Sequence, residues 1–166
     1  MTATLHLQVT AGDGTVVDER CAHNTVMASG ARLIADLFAG TGSPITHMGV
    51  GTSDAAPDDV NVAALSNAAD GDAAPLDGAT LGAIPPAAFV ATIVPERRVV
   101  QVRVRGTLPA DAAIGRIREA GLVSQSDSGS VLYNRVVFPP VDKRDDHELT
   151  LFWEIEFPFG DLQWLS

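Results

Sequence analysis

Glu148-Leu-Thr-Leu-Phe-Trp-Glu-Ile-Glu-Phe157 decides the fold class. Leu149, Leu151, Trp153, Ile155 and Phe157 fall on one face of an extended chain, and Thr150, Glu154 and Glu156 fall on the other. A two-residue period with one apolar side is the pattern of a strand half-buried against a core. Phe152 is the exception, an aromatic residue on the nominally outward face. Working back through the chain, Arg98 to Gly106 alternates in the same way. Val100, Val102 and Val104 are expected to point inward, with Gln101, Arg103 and Arg105 outward. Arg103 and Arg105 on one outer face and Glu154 and Glu156 on another offer opposite charges that could pair within a sheet or between subunits.

Further strands are predicted at Thr4 to Thr10, Thr15 to Glu19, Pro44 to Thr52, Phe89 to Ile93, Ile114 to Val123 and Val131 to Phe138. Ala11-Gly12-Asp13-Gly14 is a turn that joins the first two as a hairpin. Gln125 to Gly129 and Pro139 to Asp146 read as polar connectors. One helix is expected from Gly30 to Ala39, with Ser29 as N-cap, Leu33, Ile34, Leu37 and Phe38 on its buried side, and Gly40 just past its end. Ser53 to Pro86 is rich in Ala, Asp, Gly and Pro, and no Lys or Arg occurs between Arg32 and Arg97. It reads as a long acidic surface loop, with room for a short helix near Val62 to Ala69. The fold class that results is mainly β, an antiparallel β-sandwich of about seven or eight strands with one packed α-helix. A single domain covers residues 1–166, with the acidic loop at 53–86 and a C-terminal docking tail at 158–166. No repeat is evident at solenoid or propeller period.

Composition narrows the function. The 166 residues carry 11 Lys and Arg against 21 Asp and Glu, a net charge of −10. An acidic chain repels phosphate backbones, so nucleic-acid binding is disfavoured. No run of about 18 apolar residues predicts a transmembrane helix, and the N-terminus has no secretory pattern, so neither membrane nor export is expected. The lone Cys21 excludes an internal disulfide and a Cys-rich zinc site.

Few residues stand at spacings that chemistry requires. His6, His23, His47 and His147 have no metal-ligand spacing. Cys21 and His23 lack a third group to orient them, and there is no Gly-x-Ser-x-Gly elbow. Glu154 and Glu156 share a strand face, where a solvated face is the plain reading and a glycosidase pair the sharper one. Asp70, Asp72 and Asp77 resemble calcium-loop ligands, but counting from Asp70 puts Ala74 at position five and Leu81 at position twelve, so the EF-hand pattern fails. Gly49-Val50-Gly51-Thr52 lacks the lysine of a phosphate loop and the later glycine of a dinucleotide site. No enzyme, cofactor or metal is expected.

The order of segments carries more than any single motif. An Asn-containing strand (Asn24) is followed by a Gly-led helix (Gly30). Then come ITHMGVGT (Ile45–Thr52), an Ala-Pro-acidic stretch (Ala56–Asp59), REAGL (Arg118–Leu122), FPPVDK (Phe138–Lys143) and LTLFWEIEF (Leu149–Phe157). This ordered set, spanning about residues 23 to 157, nearly a whole domain's length, resembles small virion proteins of tailed bacteriophages, the tail and tail-fibre-associated structural family. The resemblance implies a non-enzymatic assembly protein of a tail, baseplate, collar or fibre attachment, made in the host cytoplasm and carried in the virion. It implies a homo-oligomer, a trimer or hexamer ring, that also contacts other virion proteins. A capsid decoration or turret protein and a contractile-injection-system component are the near alternatives; a carbohydrate-binding β-sandwich module is the distant one. The interface expected on this reading comprises Arg103, Arg105, Phe152, Glu154 and Glu156, with Phe159, Leu162, Trp164 and Leu165 of the tail as apolar anchors.

Overall fold

A computed structural model describes residues 2–56, 58–69 and 71–160. Ten strands form two antiparallel five-stranded sheets. In chain order they are β1 (Thr2–Ala11), β2 (Val16–His23), β3 (Thr25–Val26), β4 (His47–Gly51), β5 (Leu81–Ala83), β6 (Phe89–Val94), β7 (Val99–Leu108), β8 (Gly115–Ser126), β9 (Gly129–Lys143) and β10 (His147–Pro158). Among the described residues one α-helix forms, α1 (Ala28–Phe38), between β3 and β4. The first sheet runs β2-β1-β10-β7-β6 and the second β3-β9-β8-β4-β5.

The decisive segment sits where its pattern demands. β10 is the middle strand of the first sheet, paired to β1 on one side and β7 on the other. Leu149, Leu151, Trp153 and Ile155 are buried against Leu5, Leu7 and Val104 from its neighbours and against Ile117, Leu122 and Val136 from the second sheet. This shared core holds the sandwich together, at roughly 25 cal/mol for each Å² of apolar surface removed from water. The predicted β1–β2 hairpin forms. Gly14 takes a positive φ of 87° at the turn, and Asp13 Oδ1 accepts the Thr15 amide at 2.9 Å, which holds the Asp13 carboxyl below its ordinary range.

Several expectations need correction. The strand number is ten because β3 and β5, of two and three residues, are too short to show a period. Pro139 to Asp146 is no connector, since β9 continues to Lys143 and pairs with β8 up to Gly115. The register slips by two between Glu119–Val137 and Ile117–Val141, so Pro139 and Pro140 fall in a bulge where the ladder asks no amide of them. Gln101 points outward as expected, yet it is buried; its Nε2 donates to Glu156 Oε1 at 3.4 Å, the same oxygen that Arg97 pairs with.

The helix begins at Ala28, not Gly30. Met27 occupies the N-cap without a side-chain bond, and Ser29 Oγ instead donates to the Leu132 carbonyl at 2.7 Å. A Cβ on Gly30 would stand 1.9 Å from the Tyr133 carbonyl oxygen, so the glycine is what lets the helix lie on β9. Leu33 and Ile34 pack inward and Gly40 follows the helix with φ +73° as expected. Leu37 and Phe38 do not join them: they are 39% and 91% exposed.

The 53–86 stretch departs most from its prediction. It contains β5 as an edge of the second sheet and sends Leu76 and Ile84 into the main core. Asp77 and Ile114 exchange backbone hydrogen bonds, and Asn67 brackets Leu76 through both its side-chain atoms. No helix forms over 62–69. The Ser66 amide is taken by the Glu119 carboxylate and the Ala68 amide by Ser66 Oγ, which leaves them no i−4 partner.

Candidate interaction surfaces

Two surfaces follow from this architecture. The first is the outward face of the first sheet. The register sets Arg105, Phe152, His6 and Cys21 in one row across four strands, and Arg103, Glu154, Thr4 and His23 in the next. Arg103 Nε donates to Glu154 Oε2 at 3.2 Å. The Arg105 guanidinium lies 5.4 Å from the Phe152 ring centre, and the His6 ring stacks on it at 5.8 Å from the opposite strand. His6 Nε2 is 3.5 Å from Glu19. Glu156 reaches Arg97 at 2.6 Å. A shallow depression of about 530 Å³, lined by His6, Gln8, Val90, Arg105, Phe152 and Glu154 among others, opens on this face.

The predicted interface residues are therefore partly assembled. Arg103 and Glu154 pair within the sheet, and Arg105 and Phe152 lie together; Glu156 belongs to a separate pair with Arg97. Phe159 stands apart beyond β10, half-exposed, its amide donating to the Arg98 carbonyl. Leu162, Trp164 and Leu165 lie outside the described residues.

The second surface is the outward face of the second sheet, which no periodicity in the chain foreshadows. Residues 53–56 and 58–69 form a strap over β8 and β9. Beneath it Arg135 Nε donates to Glu119 Oε2 at 2.5 Å, with both side chains wholly buried. The same two residues fasten the strap: Glu119 Oε1 accepts the Ser66 amide, and Arg135 Nη1 donates to the carbonyls of Ala55 and Ala56. Gly51 faces the Glu119 carboxylate, where a Cβ would come within 2.3 Å. Val62 and Leu65 pack on Met27, Val123 and Leu132 in a small second core. Further along, Asp72 bridges Arg116 at 2.6 Å and Arg118, and Arg118 also reaches Asp54 at 3.2 Å.

These pairings change the reading of the acidic segment. Asp72 is engaged by two guanidinium groups, which compete with any cation for its oxygens. Asp77 Oδ1 accepts the Gly78 amide at 2.9 Å, and Asp70 lies outside the described residues. Among the described residues no group of three or more His, Cys, Asp or Glu side chains is placed to hold a metal ion. The histidines lie apart: His47 is 2.8 Å from Thr46 Oγ1, His147 is 3.5 Å from Asp146, and His23 is exposed on β2.

Burial shifts two other groups. The Tyr133 hydroxyl, beneath α1, is pushed up to about 12 by desolvation. Lys143, at the end of β9, is held below its ordinary range by desolvation, partly offset by Asp111, Glu148 and Asp145, and its Nζ donates to the Ala110 carbonyl at 2.9 Å.

No protein family, curated protein or solved structure matches the chain.

Proposed function

We propose that the chain is a structural subunit of a tailed-bacteriophage virion, at the tail, baseplate, collar or a fibre attachment, acting through contacts with copies of itself and with other particle proteins. The observation that carries this reading is how the resembling motifs are spent. Gly30 seats the helix on β9, and Gly51 and Glu119 anchor the strap. Arg118 gathers the strap's carboxylates, and Lys143 ties β9 to the Ala110 turn. LTLFWEIEF supplies the central strand of the first sheet. Motif residues devoted to a rigid scaffold suit a part whose task is to hold shape between neighbours. An enzyme would be expected to spend some of them on a cleft.

A rigid scaffold of this kind also suits a capsid decoration or turret protein and a contractile-injection-system component. A sugar-binding reading is less well supported. Stacking a pyranose ring requires an aromatic face open to solvent, and Phe152 is flanked by His6 on one side and Arg105 on the other. Mass spectrometry of purified particles tests the proposal: the polypeptide is expected as a stoichiometric component, and its absence from them would refute the reading.

A further inference from the structure

The two sides of the sandwich are chemically unlike. One side is bounded by the edge strands β2 and β3. β2 carries Asp18, Glu19 and Arg20, and Arg20 donates to the carbonyls of Pro139 and Pro140 on the opposite sheet, closing that side. Charges on an edge are a common defence against strand pairing.

The other side is bounded by β5 and β6. From Gly78 to Pro95 no residue carries charge, in a chain of net charge −10. This one window supplies the edge strand of both sheets. β5 is only three residues long, but β6 runs for six, Phe89–Val94, and is dominated by Phe, Val, Ile and Thr. It pairs with β7 alone; among the described residues nothing meets its other edge. Ile93 faces inward beside its cross-strand partner Val100 yet is 65% exposed, and Val90 on the opposite face is 55% exposed. Apolar side chains exposed on both faces of an uncharged, unpaired strand are the features that invite another strand.

We propose that β6 pairs antiparallel with β6 of a second copy of this chain, about a twofold axis, joining two first sheets into one continuous sheet. The charge distribution selects this occupant. Two molecules of charge −10 repel over most of their surfaces, and the window from Gly78 to Pro95 lets them approach with no like charges opposed. The nearest arginines on the outer face, Arg97 and Arg103, are already neutralised by Glu156 and Glu154 of the same molecule. Pairing β6 with a neighbour's β2 would instead bury Asp18, Glu19 or Arg20 at the seam, which costs desolvation energy. A twofold axis normal to the sheet keeps inner face with inner face, so Ile93 and Ala91 meet their counterparts and Val90 and Val94 meet theirs. Such a contact closes at two copies and leaves other surfaces free for a ring or for other proteins.

The contact does not rest on the virion reading. Sedimentation equilibrium of the purified full chain is expected to give twice the 17.3 kDa monomer mass, and the double variant Val90→Lys/Ile93→Lys is expected to give the monomer mass. Phe38→Ser, altering an equally exposed residue elsewhere, is expected to remain dimeric. A wild-type monomer throughout the micromolar range would overturn the proposal, as would a dimer that survives the double variant or a ring in place of a dimer. Should the double variant not fold, amide exchange of the wild type decides: protection over 89–94 that falls on dilution supports the contact, and concentration-independent exchange overturns it. A dimer missing from particles overturns only the virion role, and a monomer present in them overturns only this contact.

Discussion

Glu119 and Arg135 form an ion pair that solvent does not reach, and the strap over the second sheet is tied to both of them. Removing one partner leaves the other charge buried and alone, a loss of about 3–5 kcal/mol. Glu119→Ala is therefore expected to lower the urea midpoint sharply, and Arg135→Met to do so as well. Replacing both with apolar residues of similar volume is expected to recover part of the loss. Equilibrium urea denaturation of the four proteins checks this; single variants near wild-type stability would remove the pair from the framework.

Gly30 separates two effects of opposite sign. In an exposed helix, glycine to alanine stabilises by about 1 kcal/mol. Here the added methyl would meet the Tyr133 carbonyl at 1.9 Å. Gly30→Ala is expected to destabilise by about 1–3 kcal/mol, the usual range for overpacking, measured by thermal or urea unfolding. A stabilised variant would mean that α1 does not sit on β9 as described.

The two kinds of arginine pair are expected to differ. Arg118 is nearly buried beneath the strap and holds Asp54 and Asp72. Arg103 and Glu154 pair in the open. Arg118→Met is expected to expose residues 53–72 to limited proteolysis, whereas Glu154→Gln is expected to change stability by less than about 1 kcal/mol. Equal proteolytic patterns for wild type and Arg118→Met would contradict the clamp.

Tyr133 is the chain's one tyrosine, so tyrosinate absorbance reports it alone. Its folded value is raised from 10.0 to about 12 by burial. The native state holds the proton longer than the unfolded state, so this contribution is complete below pH 10. It is lost as pH rises from there through about 12, up to about 3 kcal/mol over the full window. Lys143 acts oppositely: its value is lowered on folding, so the cost of burying its charge is relieved as pH rises toward 10.5. The expected outcome is a native tyrosinate midpoint near 12 and an unfolded one near 10 in urea. A native midpoint near 10 would place Tyr133 in solvent.

The sandwich was legible in the sequence wherever burial falls on one face of a strand. β10 and most of β7 alternate because one side meets core and the other water, and the β1–β2 turn is written in its glycines and aspartate. The opposite charges of Arg103 and Arg105 against Glu154 and Glu156 left pairing open within the sheet or between subunits; Arg103 pairs with Glu154 within the sheet, and Glu156 takes Arg97 instead. The strap and its anchors were illegible for a physical reason. Glu119 and Arg135 are buried on the outward face of their sheet, so they break the rule that charge marks solvent, and their partners are backbone groups of a segment more than fifty residues away in the chain. The one available signal was Arg118-Glu119 standing inside an apolar strand between Ile117 and Leu122. Gln101 does face outward, and its burial has no sign in its own strand's pattern, because its Nε2 bonds Glu156 on the neighbouring strand.

Quantitative mass spectrometry of density-purified particles from an induced or infected culture of the encoding host decides whether the proposed role in a phage particle holds. The polypeptide is expected in fixed ratio to known tail or capsid proteins and enriched over the lysate; its recovery only in the particle-free fraction would refute that role.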